Sequence, residues 1–145
     1  MANFAELDQL NTVLRTVVID TQDVINNGGD CSVQAEEFVK TIVPFSSLGV
    51  CWKQTSYNNN FRKLFAGEGM KYDQNLDMFI GPKPYNSWTL SETGDWIPPI
   101  AQPLNTFYEN KDVYEISWDE QNQKWIGKSY LKQDITWNPL NNFWE

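Results

Sequence analysis

The side chains with the most chemical potential in this chain are its carboxylates: 19 Asp and Glu, against 11 Lys and Arg and no His. Two carboxylates facing each other across a cleft can hydrolyse a glycosidic bond, but no spacing in the sequence places two of them so. Without His there is no Ser-His-Asp triad, no imidazole base and no imidazole metal ligand. No glycine loop follows a phosphate-cradling pattern. The acidic turns Asp73/Asp77 and Asp119/Glu120 offer oxygen ligands for Ca²⁺, yet neither follows the EF-hand spacing nor carries its glycine, so they read as solvated turn residues. The expectation is a non-enzymatic protein that needs no metal and no cofactor.

Binding chemistry is better represented. Val50 to Gly67 contains Lys53, Arg62 and Lys63 and no acidic residue, in a chain whose net charge is −8. Trp52, Tyr57 and Phe61 are interleaved with these cations, and aromatics with Arg are the residue types enriched in interface hot spots. The functional reading is a contact surface for a protein with an acidic patch. The plain alternative is a set of core aromatics under solvated cations. The acidic balance, with a pI near 4.5, argues against nucleic acid and against anionic membranes as partners. No apolar run approaches the roughly 20 residues of a spanning helix. The opening Met-Ala-Asn-Phe-Ala-Glu lacks the basic and apolar regions of a secretory signal. Cys31 and Cys51 are too few for a disulfide framework and read as free thiols.

The elements that must carry these groups announce themselves through aromatic spacing. Tyr72/Phe79, Trp118/Trp125 and Trp137/Trp144 each enclose six turn-forming residues, and Trp88/Trp96 is a looser copy. An even number of intervening residues lets both rings meet on one face of a hairpin. Phe107/Tyr114 has the same spacing with less turn-like residues inside. Trp and Tyr faces also stack on pyranose rings, so Trp88, Trp96, Trp118, Trp125, Trp137 and Trp144 form an alternative sugar-stacking set. In that case the function is a carbohydrate-binding attachment module. Regular spacing favours rings that clasp their own hairpins.

Upstream, Phe4–Leu7 and Thr12–Ile19 read as strands joined by a turn at Asp8–Asn11. Thr21 to Asp30 is polar and ends in Asn-Asn-Gly-Gly-Asp, a loop. Ser32 to Val43 is the one helix, with Ser32 as N-cap, Ala35, Phe38, Val39 and Ile42 on one face, and Pro44 as the stop. Phe45 to Trp52 returns to the sheet, and Phe61 to Gly69 reads as a further short strand. The fold class is mainly β (α+β). An N-terminal β-hairpin plus one helix, residues 1–69, precedes a meander of aromatic-clasped hairpins, residues 70–145, extended by proline-bearing connectors.

One stretch resembles a known group. Trp52-Lys-Gln-Thr-Ser-Tyr-Asn58, then Asn60-Phe-Arg-Lys63, Ala66-Gly67, Gly69 and Tyr72-Asp73, is similar to the core of a family of small uncharacterised proteins of marine tailed bacteriophages, chiefly those infecting cyanobacteria. Phe4 to Asp8 and Val13 to Arg15 resemble that family's opening. Pro84 to Trp88, Trp96 with Pro98, and Trp118 to Glu120 with Trp125 resemble its closing half. The Asn26–Asp30 loop, residues 103–114 and the Trp137/Trp144 pair depart from it. The resemblance implies a structural component of the virion, made and folded in the host cytoplasm, on the head, baseplate or a fibre. Its implied partners are other virion proteins, with a host-surface glycan for the attachment alternative. It implies no catalytic residues.

Overall fold

Alternating side chains make the first strands into the centre of a layered unit. Strand β1 (Ala2–Leu7) sends Ala2 and Phe4 to one face and Ala5 and Leu7 to the other, and all four are buried. A strand with two buried faces needs cover on both. Its partners are β2 (Val13–Ile19) and β3 (Cys51–Thr55), antiparallel in the order β2-β1-β3. The turn before β2 is fixed by Asp8, whose carboxylate accepts from the Leu10 and Thr12 N–H groups. This computed structural model describes all residues, 1–145.

Two helices cover one face. The first, α1 (Thr21–Asn26), is a correction to the loop expected there: Asp20 caps it by accepting from Gln22 N–H, and Val24 is its single buried anchor. Val24 and Ile25 are adjacent, and two neighbours in a polar run leave no helical stripe to read. The second, α2 (Val33–Ile42), starts as expected, with Ser32 Oγ accepting from Ala35 N–H at 3.0 Å. Ala35 and Val39 are buried, but Ile42 is 49% exposed and Val43, just past the helix, packs in its place. Trp52 completes this layer with Phe4, Ile19 and Val24.

The opposite face is covered by Ala66 and the hairpin of β4 (Lys71–Asp73) and β5 (Met78–Ile80). Tyr72 pairs directly with Phe79, as the spacing predicts, at 5.3 Å between ring centroids. Both rings pack on Leu7 and Val13, so this hairpin belongs to the N-terminal unit. The unit comprises residues 1–82 with 92–94, and the boundary expected at 69/70 moves accordingly. The strand expected over Phe61–Gly69 does not form, because Arg62 and Lys63 both take left-handed backbone, φ 52° and 61°.

Residues 83–91 and 95–145 form the second unit. The meander of hairpins expected here forms, but it is not extended, since it encloses a core of its own. Strands β6 (Thr89–Leu90) and β7 (Trp96–Ile97) make a small hairpin. Strands β8 (Phe107–Tyr108), β9 (Lys111–Asp119), β10 (Lys124–Ser129), β11 (Ile135–Asn138) and β12 (Phe143–Trp144) form one antiparallel sheet in the reverse order. Trp118 pairs with Trp125 and Trp137 with Trp144, and all four rings are buried with Val113 and Ile135. The sheet curls until its edges meet: the Trp144 indole N–H donates to Asn105 O at 2.7 Å. Gly127 permits the closure, because a Cβ there would lie 3.0 Å from the Trp144 ring.

Two expected pairs fail. Trp96 lies opposite Leu90, so Trp88 is released to pack against Trp118 and Trp125. Phe107 lies opposite Asp112, across a two-residue turn at Glu109–Asn110 with both φ values positive. That turn type matches the strand twist and shortens the hairpin.

A buried charge holds the connection between α2 and β3. Glu6, 0% exposed, accepts from Arg15 Nη2 at 3.1 Å, from Ser46 N–H at 2.9 Å and from the Ser46 hydroxyl. Gly49 fits only because it lacks a Cβ, which would sit 2.6 Å from the Glu6 carboxyl carbon. Burial pushes the Glu6 carboxyl up, but the Arg15 and Ser46 hydrogen bonds outweigh it and hold it below 4.5, its ordinary value. A depressed folded-state pKa stabilises above the unfolded value and loses that stabilisation as pH falls through the folded one. Glu6→Gln should therefore lower the urea midpoint at neutral pH, with the deficit shrinking below pH 4.5. A deficit that stays constant down to acid denaturation would contradict this. Ser32→Ala should cost about 1 kcal/mol and speed amide exchange at Ala35, and unchanged exchange there would remove Ser32 from the cap.

Candidate functional site

The predicted contact residues do not form a surface. The Trp52 side chain is 2% exposed and the Arg62 side chain 6%. Arg62 lies in a network that the chain supplies from separate segments. Its Nη1 and Nη2 each donate to Glu36 Oε1 of α2 at 3.2 Å, and Nη1 also donates to Gln54 O of β3 at 3.0 Å. Its Nε donates to Asp77 Oδ1 at 2.8 Å, and its guanidinium carbon lies 5.7 Å from the Tyr72 ring centroid. Lys53 Nζ reaches Glu36 Oε2 at 3.2 Å. The Tyr72 hydroxyl donates to the same Asp77 oxygen. The acidic partner that the basic stretch calls for is therefore in the chain itself, as Glu36 and Asp77.

Local backbone explains how these groups meet. Arg62, Lys63 and Asp77 all have positive φ, as does Cys31, whose N–H donates to the Gln54 side chain at 2.7 Å. Such conformations cost free energy for residues with a Cβ and persist where the surroundings fix them. Burial and the Asp77 hydrogen bond push the Tyr72 phenol well up, so it stays a donor. Burial also pushes Asp77 up, but the Tyr72 hydrogen bond and the Arg62 charge outweigh it, leaving it below its ordinary value. Arg62, with Glu36 and Asp77 beside it, stays charged despite its desolvation. Two cations face two carboxylates in full hydrogen-bonding geometry, an arrangement that immobilises segments rather than activating a group.

The remaining predicted residues are placed differently. Lys63 Nζ donates to Thr93 O at 2.6 Å. Phe61 is half-buried, and Tyr57 is 72% exposed with its ring edge-on to Phe65. The sugar-stacking set fails as a platform: Trp118, Trp125, Trp137 and Trp144 are buried, and the paired rings are steeply tilted, at 66° and 61°. Trp88 packs among them, and Trp96 is half-buried with Lys83 Nζ over its ring. The Cys31 and Cys51 thiols are free, and burial pushes both up, which favours the thiol over the thiolate.

The acidic turns are structural. Asp73 Oδ1 accepts from Leu76 N–H, Asp119 Oδ1 from Asn122 N–H, and Asn138 Oδ1 from Asn141 N–H, the acceptor always being the residue after the first aromatic of a pair. Asp77, Gln123 and Asn142, at the matching later position, share a positive φ. Glu120 accepts from the Ser87 hydroxyl and N–H and from the Trp118 indole, which hold it below its ordinary value.

What sequence reasoning missed is Glu6 and Glu36. Both had a signal: each is a carboxylate at a position whose strand or helix neighbours face the core, which forces a cation or hydrogen-bond partner.

Several recesses are open at the surface, three of them beside residues already described. Leu10, Leu48 and Val50 line a groove of about 320 Å³ together with Asp8, Gln9 and Ser47. Gln54, Ser56, Asn58 and Tyr57 border a polar pocket of about 200 Å³. In the second unit, Glu115, Ser117, Lys124 and Lys128 border a groove of about 200 Å³ on the sheet face away from the Trp core. No helix of the protein is long and apolar enough to cross a membrane. Comparison with known proteins gives no match to a family model, to a curated protein or to a solved structure.

Breaking a buried ion pair leaves its partner desolvated and costs about 3–5 kcal/mol. Arg62→Met should fall near the lower end, since Lys53 still neutralises Glu36. Adding Glu36→Gln should recover part of the loss, as expected for coupled residues. Urea denaturation of the variants would decide it. A loss within the range of exposed pairs, about 0–1 kcal/mol, would show that Arg62 faces water.

Proposed function

We propose that the protein is a non-enzymatic structural component of a tailed-phage virion. It decorates the particle, or adapts one particle protein to another, through protein–protein contacts. The observation that carries this is how the reactive side chains are deployed. Glu6, Glu36, Arg62 and Glu120, together with five of the seven Trp, are committed to internal hydrogen bonds, ion pairs and cores. Large apolar side chains point outward instead: Leu10 at 76%, Leu48 at 65% and Val50 at 45% exposure line one groove of the N-terminal unit. A cluster of this kind at a rigid sheet end suits a contact with another protein. The similarity of the Trp52–Asp73 stretch to phage proteins points to a particle as the setting.

The acidic-patch partner is not part of the proposal, because Arg62 and Lys53 are paired within the chain. Neither is sugar stacking by the Trp pairs, because those rings are buried.

Quantitative mass spectrometry of density-purified particles tests the proposal. The chain should copurify at a fixed ratio to the major head or tail proteins. The double variant Leu10→Asp/Leu48→Asp, altered at exposed positions, should fold normally and incorporate poorly. Recovery of the wild-type chain only in the particle-free lysate would overturn the proposal.

A further inference from the structure

The pocket at the end of β3 holds polar groups with hydrogen-bonding capacity unused, and we propose that it is a saccharide site that holds one sugar ring against Tyr57. It goes beyond the particle role proposed above and does not depend on it. The floor is built from groups fixed in place. Gln54, 2% exposed, has its carboxamide held at both ends: Oε1 accepts from Cys31 N–H at 2.7 Å and Nε2 donates to Asp30 Oδ1 at 2.8 Å. A carboxamide has two N–H donors and two acceptor lone pairs, so one of each remains. Ser56, 7% exposed, accepts from Asn60 N–H at 2.9 Å, which leaves its own O–H to donate. The exposed carboxamides of Asn58 and Asn60 form the wall.

The rim supplies the apolar contact. Tyr57 is 72% exposed, yet its ring is held edge-on to Phe65, with centroids 5.3 Å apart and planes 69° apart. A ring steadied from one side presents its face at little ordering cost.

The chemistry selects the ligand class. Vicinal hydroxyls each donate and accept, which matches neutral amides and hydroxyls that also do both. A pyranose offers a C–H face to an aromatic ring. Asp30 is the only charged side chain among the lining residues, with the Met1 terminal ammonium as the opposite charge, a balance that suits an uncharged ligand; an apolar one would desolvate the amides uncompensated. At about 200 Å³ the pocket is smaller than those that take drug-sized molecules, so it fits a single ring.

The test is titration of the ¹⁵N-labelled full-length protein with galactose, glucose, mannose and N-acetylglucosamine in separate experiments. At least one should give saturable shifts at millimolar concentrations in the Asn58 and Asn60 side-chain amides and the Gln54 backbone. Tyr57→Ala, at an exposed ring, should keep the folded spectrum and weaken that binding about tenfold. Asn58→Ala should weaken it while leaving the ring in place. No saturable shift with any of these sugars, or affinity unchanged in Tyr57→Ala, overturns the proposal. Either result leaves the particle role untouched, just as absence from particles would leave the site standing.

Discussion

A guanidinium taken out of water must be neutralised and fully hydrogen-bonded, and the N-terminal unit is arranged around meeting that demand for Arg62. The requirement reaches three ways: to Glu36 on α2, to the Gln54 carbonyl on β3, and to Asp77 on the turn between β4 and β5. These groups come from segments far apart in the chain. The backbone of Arg62 and Lys63 adopts left-handed conformations to aim the side chain, which ends any strand at that point. A buried ion pair adds little net stability over an apolar substitute of the same shape. Its effect here is orientational, since it fixes the face of α2 that carries Glu36 against Arg62 and Lys53.

The second unit relies on a different device, a hairpin used more than once. Each aromatic pair is joined by a turn whose first residue is Asp or Asn and whose later left-handed residue is Asp, Gln or Asn. Tyr72/Phe79 uses the same local geometry as Trp118/Trp125 and Trp137/Trp144, but its left-handed residue, Asp77, is also recruited by Arg62. One local solution thus serves a clamp in one unit and a Trp core in the other.

These differences explain what could be read in advance. The hairpins with paired rings were readable because both the aromatic spacing and the turn chemistry are local. The α2 start was readable because Ser32 stands before a periodic face. The α1 helix was not, since Val24 is its only buried residue and its remaining signal is the Asp20 cap. The Trp88/Trp96 pair misled because a one-residue difference in spacing changes which residues face each other, and Trp96 meets Leu90. The basic stretch misled for a deeper reason. Composition shows that Lys53 and Arg62 lack acids nearby in sequence, but Glu36 and Asp77 reach them through tertiary folding. The polar pocket beside Tyr57 had no signal beyond a run of Asn residues, because its floor depends on how Gln54 is held.

Strand β1 pairs with β2 across a short turn, but its other edge waits for Cys51 to Thr55. During synthesis at about 5–20 residues per second, that edge of the newborn chain stays open for a time on the order of seconds. Open edges invite pairing with other chains, and an inward-pointing charge is one of the features that discourages it. Glu6 sits on this strand with its side chain aimed where the core will be. Until Ser46 arrives, Arg15 of β2 is its one charged partner, and the pair is unfavourable to bury against a stranger. The residue that later fixes the segment after α2 thus also guards the nascent sheet.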